Sequence, residues 1–83
     1  MFSEHAKDEI ERGSIPKSIV DAVLEQPQQV VREREGKSAY QSQVDFEGGR
    51  RFLVRVIVAH DVDPPVVVTG YRTTRITRYW RAE

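Results

Sequence analysis

The chain contains no cysteine. No disulfide staples it, and no thiolate is available as nucleophile or metal ligand. Its two histidines, His5 and His60, are too few to build a structural zinc site without cysteines. HExxH, GxGxxG, the phosphate loop and G-x-S-x-G are also missing, so the expectation is no metal and no cofactor. No apolar run approaches the roughly 20 residues of a spanning helix. The opening MFSEHAKDE is acidic and lacks the basic-then-apolar order of a secretory leader. These absences make a cytoplasmic protein with no membrane segment the expectation. Net charge is absent too, 13 Lys+Arg balancing 13 Asp+Glu.

That balance hides a gradient. Residues 1–47 carry six Lys/Arg against ten Asp/Glu, and residues 48–83 carry seven arginines against Asp61, Asp63 and Glu83. Arginine presents a planar fork that suits bidentate contact with phosphate or carboxylate, so the second half points to a basic patch if the fold keeps the halves apart. Eighty-three residues make one domain, 1–83. A chain of this length buries only about 60% of the surface its unfolded form exposes, so a homodimer or a small partner protein would add stability.

The first half reads as two helices. Ser3 is placed to cap the first, with Glu4 in its first turn, a thin apolar edge at Ala6 and Ile10, and Gly13 as its stop. Pro16 fits the first turn of the second. Ile15, Ile19, Val20, Val23 and Leu24 form its apolar stripe, and Pro27 ends it at or before Gln26. Residues 28–34 suggest a short edge strand, and Glu35-Gly36-Lys37 a turn.

The longest apolar run, RFLVRVIVAH at 51–60, reads as a central strand, because it is apolar on both sides. A strand over 38–46 precedes it. Gly48-Gly49 between them is a two-residue hairpin signal. A tight turn there pairs Phe46 with Arg51, Val44 with Leu53, Ser42 with Arg55 and Tyr40 with Ile57. Arg55 then lies on a face shared with Tyr40, Val44, Leu53 and Ile57. Val66–Tyr71 follows as a third strand, in which Gly70 suggests a bulge or a close approach. Thr73 or Thr74 is placed to cap a last helical turn, with Ile76, Tyr79 and Trp80 inward. The fold expected is α+β: two N-terminal helices on a three- to four-stranded antiparallel sheet, with a short C-terminal helical turn.

Five stretches carry a resemblance: SEHAKDEI, RGSIPKSIVDAVLEQPQQVV, YQSQVDFEGG, RFLVRVIV and VVVTGYRTTRITRYW. Together they resemble the DUF4258 family, particularly its cyanobacterial-type members, over nearly the whole chain. The closing TGYRTTRITRYW is the most specific. That family is similar, distantly, to the barnase–EndoU–colicin–RelE group of small metal-independent RNA-cleaving toxins. The resemblance implies a small protein that binds RNA or a protein partner or, alternatively, a toxin-like ribonuclease from a toxin–antitoxin pair.

Metal-free RNA cleavage needs a base, an acid and cations for the phosphate. Under that implication His5 supplies the base or acid, Arg55 and Arg72 clamp a phosphate, and Tyr79 donates a proton or stacks. Arg12, Tyr71, Arg75, Arg78 and Trp80 are the further RNA-binding candidates. RelE-like toxins resemble this chain in placing arginine and tyrosine late, but they are more basic overall. Plainer roles fit each residue as well. His5 suits a helix surface, and Arg55 suits an ion pair with a carboxylate such as Glu9. The tyrosines and Trp80 suit core and rim, and Arg75, Arg78 and Arg81 suit a solvated helix face. The enzyme reading requires His5, Arg55 and Arg72 or Tyr79 to meet in one open cleft.

Overall fold

A computed structural model describes residues 1–82. Its elements are helices α1 (Glu4–Arg12) and α2 (Lys17–Glu25), strands β1 (Gln29–Arg32), β2 (Lys37–Asp45), β3 (Arg51–Ala59) and β4 (Val66–Thr73), and a last helical turn α3 (Ile76–Tyr79). The strands form one antiparallel sheet in sequence order. The architecture is the expected α+β one, with β3 central and four strands in all.

The helix boundaries follow from their end residues. Ser3 Oγ accepts the Ala6 N–H at 3.0 Å, satisfying one of the donors a helix start leaves free. Helix α1 stops slightly differently from expectation. Gly13 keeps a right-handed conformation, with φ −80°, and Ser14 takes the left-handed one, with φ 57°. Ser14 N–H bonds Glu11 O at 3.0 Å and Ile15 N–H bonds Ile10 O at 3.1 Å, the paired closure of a Schellman motif. That closure turns the chain sharply and buries Ile15. Pro16 caps α2, and α2 ends at Glu25 before Pro27.

Both helices lie on one face of the sheet. Ala6, Ile15, Val20 and Val23 pack there against Val54, Val56, Val58 and Val67, with Phe2, Ile10, Tyr40, Val44 and Phe46 around them. Gly70 is the close approach rather than the bulge. A Cβ at Gly70 would stand 2.9 Å from Ile10 Cγ1, so the missing side chain is what lets α1 rest on β4. The irregularity in that strand lies at Val68, between the pairs Ile57–Thr69 and Val58–Val67. Residues Met1 to Ser3 run beside β4, bonded in both directions to Val67 at 2.8 and 3.0 Å.

The β2–β3 register corrects the expected one by a single residue. Val44 pairs with Phe52, Gln43 with Leu53, Ser42 with Val54, Gln41 with Arg55 and Tyr40 with Val56. The turn is not a two-residue one. Glu47, Gly48 and Gly49 make a three-residue 3-10 turn, closed by Phe46 N–H on Arg50 O at 2.9 Å. Both glycines have positive φ, 83° and 73°, so the glycine pair does serve the turn, but as its second and third residues. A one-residue slip moves partners to opposite faces. Tyr40 and Val44 therefore join Val54 and Val56 under the helices, and Arg55 shares the other face with Gln41.

Candidate functional site

Arg55 sits mid-strand in β3, on the face the helices leave open. Gln29 and Gln41 are register partners in β1 and β2, Gln41 and Arg55 in β2 and β3, and Arg55 and Tyr71 in β3 and β4. Alternation therefore aligns these four side chains in one row across the sheet. The row is closed by hydrogen bonds. Arg55 Nε donates to Gln41 Oε1 at 2.8 Å, one terminal nitrogen donates to the Tyr71 hydroxyl at 2.6 Å, and the other donates to Glu33 at 3.1 Å. Arg55 is only 4% exposed and Gln41 is fully buried. The Tyr79 ring covers the guanidinium, 4.4 Å from its carbon to the ring centroid.

The partner of Arg55 is thus Glu33, at the end of β1, and not Glu9, which instead holds Arg12 at 3.0 Å. Each of the three nitrogens of the Arg55 guanidinium makes one hydrogen bond, and burial under the Tyr79 ring closes the group to a phosphate in this arrangement. Burial pushes the Tyr71 hydroxyl above its usual pKa, against the opposing pull of the Arg55 hydrogen bond.

The C-terminal segment closes this row from above. Gln41 Nε2 donates to Tyr79 O at 3.2 Å. Gln29 holds the Arg81 main chain on both sides, donating to its carbonyl at 2.7 Å and accepting its N–H at 3.1 Å. Thr73 Oγ1 accepts the Arg75 N–H at 3.0 Å, steering the chain out of β4 towards α3.

A second basic feature lies on the helix-bearing side. Arg72 points there because it neighbours Tyr71 in β4 and pairs with Val54. Its guanidinium carbon stands 4.5 Å from the Phe46 ring centroid and 4.6 Å from that of Phe52. The two rings meet edge to face at 5.2 Å, and Arg50 lies 5.7 Å over Phe52. Among the described residues Arg72 forms no ion pair. Beside it opens a cleft of about 410 Å³, lined by Glu9, Arg12, Gly13, Ser14, Phe52, Tyr71 and Arg72. On the face of Arg55, the exposed Arg51 donates to its register partner Asp45 at 2.8 Å and holds its carboxyl below the usual range.

The sheet therefore divides the residues expected to act together. Arg55, Tyr71 and Tyr79 converge on the open face. Arg72 and Arg12 meet across the cleft on the other. His5 is exposed on α1, on the helix-bearing side and separated from Arg55 by the sheet. The four residues His5, Arg55, Arg72 and Tyr79 consequently do not share one cleft. Arg75, Arg78 and Arg81 are exposed and Trp80 is half-buried. His60 is an exposed loop residue whose ring nitrogen lies 3.4 Å from the Tyr40 hydroxyl.

Sequence reasoning missed Glu33, Gln29 and Gln41 as members of the buried row, and Phe46 and Phe52 as the platform under Arg72. The signal for the glutamines was a polar side chain recurring on the inward side of a strand. Reading it required the correct hairpin register. Phe46 and Phe52 are diagonal neighbours in that register, a spacing at which aromatic rings still touch.

Among the described residues no group of acidic or histidine side chains is placed to hold a metal ion, and no helix is long and apolar enough to cross a membrane. Neither the curated proteins nor the solved structures contain a match to this chain. The family model for the domain of unknown function DUF4258 matches residues 2–72, which takes in both helices, the whole buried row except its C-terminal cover, and Arg72. The chain belongs to the DUF4258 family.

Proposed function

We propose that this protein binds single-stranded RNA through the cleft beside Arg72. The observation that carries the reading is Arg72 itself, a guanidinium held against Phe46 and Phe52 that forms no ion pair among the described residues. The two rings stand at 81° to each other, so they hold the group from two sides and accept none of its N–H hydrogen bonds in competition with a phosphate. Arg12 lies across the cleft, and Arg50 adds a further cation over Phe52. Arginines interleaved with aromatic rings suit a strand whose phosphates and bases are both accessible.

Fluorescence anisotropy with a labelled single-stranded RNA of about 12 nucleotides, within the site sizes such binders use, tests the reading. Arg72→Ala is expected to weaken binding about tenfold, or about 1.4 kcal/mol, and to lower the salt slope, since one phosphate contact is lost. Equal binding by wild type and Arg72→Ala would sink it.

A further inference from the structure

The open face of the sheet holds the hydrogen-bonded Gln29–Gln41–Arg55–Tyr71 row, and the chain's own C-terminal segment packs on it. Three features set this segment apart from ordinary packing. Its main chain is held mostly by side chains, through the two-sided contact of Gln29 with Arg81 and the contact of Gln41 with Tyr79 O. Its aromatic ring lies flat enough over a buried arginine to bring the guanidinium carbon 4.4 Å from the ring centroid. Its exposed side chains, Arg78 and Arg81, form no ion pair among the described residues. A ring on a guanidinium, with paired donors and acceptors at its rim, is also what an unpaired nucleobase asks of a protein. The side-by-side donor and acceptor that Gln29 meets on Arg81 match the pattern an adenine edge presents to glutamine.

We infer that the Gln29–Gln41–Arg55–Tyr71 row is a second contact site for a base of single-stranded RNA, held closed by residues Ile76–Arg81 acting as a strap. Arg55 contributes a stacking surface here and not a phosphate clamp, because Glu33 already neutralises it. The strap takes the place of the base: Tyr79 stands where the base would stack, and the Arg81 main chain stands where its edge would be read. A site that is open in only a fraction of molecules has its apparent affinity reduced by that fraction. The strap therefore weakens RNA binding until it lifts. Once lifted, it carries Arg78, Arg81 and Trp80 alongside the strand. The inference rests on the RNA-binding reading above but uses the opposite face of the sheet.

The test compares the full-length wild type, Tyr79→Ala and the double variant Ile76→Ala/Tyr79→Ala, which change the strap and leave the row intact, using the same labelled RNA and amide hydrogen exchange. Loosening that raises the open fraction about tenfold should tighten RNA binding about tenfold in the double variant, with Tyr79→Ala between it and the wild type. Exchange at residues 76–82 should speed up in the same order. A tail that contributed only positive charge would leave affinity unchanged in both variants, because neither substitution removes an arginine. Faster tail exchange without tighter binding overturns the inference. So does unchanged tail exchange in the double variant, since Ile76 and Tyr79 would then not be what holds the segment. The two faces separate cleanly. Loss of binding in Arg72→Ala with no gain in the strap variants leaves the cleft reading standing and removes this one. A gain in the strap variants with Arg72→Ala equal to wild type does the reverse.

Discussion

Arg55 and Arg72 stand on neighbouring strands of one sheet, and they face opposite ways. Arg55 is buried, donates from all three nitrogens, and has Glu33 beside it. Arg72 is half-buried, rests on two phenylalanine rings and forms no ion pair among the described residues. Strand alternation alone makes this difference: Tyr71 pairs with Arg55 on the open face, and the next residue, Arg72, goes to the other. A basic residue count treats the two as equal. Their surroundings make one a fastener between four strands and the other a free cation.

The largest effect expected from this contrast is on stability. Arg55→Ala leaves Glu33, Gln41 and Tyr71 without their shared donor. Breaking a buried charged pair in this way costs about 3 kcal/mol or more, which urea unfolding would register as a lower midpoint at unchanged slope. Glu33→Gln keeps an acceptor for Arg55 but leaves its buried charge without a counter-ion, so it should cost more than the surface-pair range of up to about 1 kcal/mol and less than Arg55→Ala. Arg72→Ala should stay in that small range, since each cation–π contact at such a site contributes about 0.5–1 kcal/mol. Equal losses for Arg55→Ala and Arg72→Ala would erase the contrast.

The next effect concerns the contact that seats α1 on β4. Gly70→Ala sets a Cβ 2.9 Å from Ile10 Cγ1 and 3.1 Å from its Cδ1. Overpacking of this kind costs about 1–3 kcal/mol, and it should push α1 off β4 and shift Arg12 relative to Arg72. The expected signature is weaker RNA binding, with the Arg55 row undisturbed. Ile10→Ala in the same chain should recover part of the stability, because it removes the atoms that the new methyl meets. Thermal unfolding of the two single variants and the double variant reads the coupling.

Much of this was legible in the sequence. The helix cap at Ser3, the stop before Pro27, the centrality of 51–60 and the last helical turn after Thr73 follow from local rules, and each element formed. The site was less legible, for two physical reasons. The hairpin register depended on whether Gly48-Gly49 was the whole turn or its last two residues, and both forms use glycine at positive φ. That single residue decided whether Arg55 faced Ser42 or Gln41, and so whether the buried glutamine row was visible. The partner of Arg55 was a second obstacle. Glu33 reaches it from the end of β1, and only the folded sheet brings residues 33 and 55 together. Arg72 stands out in the sequence only as a candidate phosphate clamp, and its platform of Phe46 and Phe52 forms across the hairpin and depends on the same register.

The smallest effect, and the sharpest probe of how well the open face is closed, is an alkaline one. Burial raises the Tyr71 hydroxyl above the ordinary tyrosine value, and the Arg55 hydrogen bond only partly offsets this. A tyrosine in the unfolded chain ionises near pH 10, so as pH rises the unfolded form loses its proton first. The stabilisation associated with the neutral, buried hydroxyl is therefore complete below about pH 10 and is lost as pH climbs through the higher folded value. Tyr71→Phe removes this dependence, while at neutral pH it loses one acceptor for Arg55, a cost of about 1–2 kcal/mol. The difference in urea midpoint between wild type and Tyr71→Phe should accordingly be constant near neutrality and shrink above about pH 10. Taking the difference cancels the other tyrosines and the lysines, which titrate in both chains. A difference that stays flat through the alkaline range would mean that water reaches the Tyr71 hydroxyl freely, so that the segment bearing Tyr79 does not seal the row and the open face is no more closed than the cleft around Arg72.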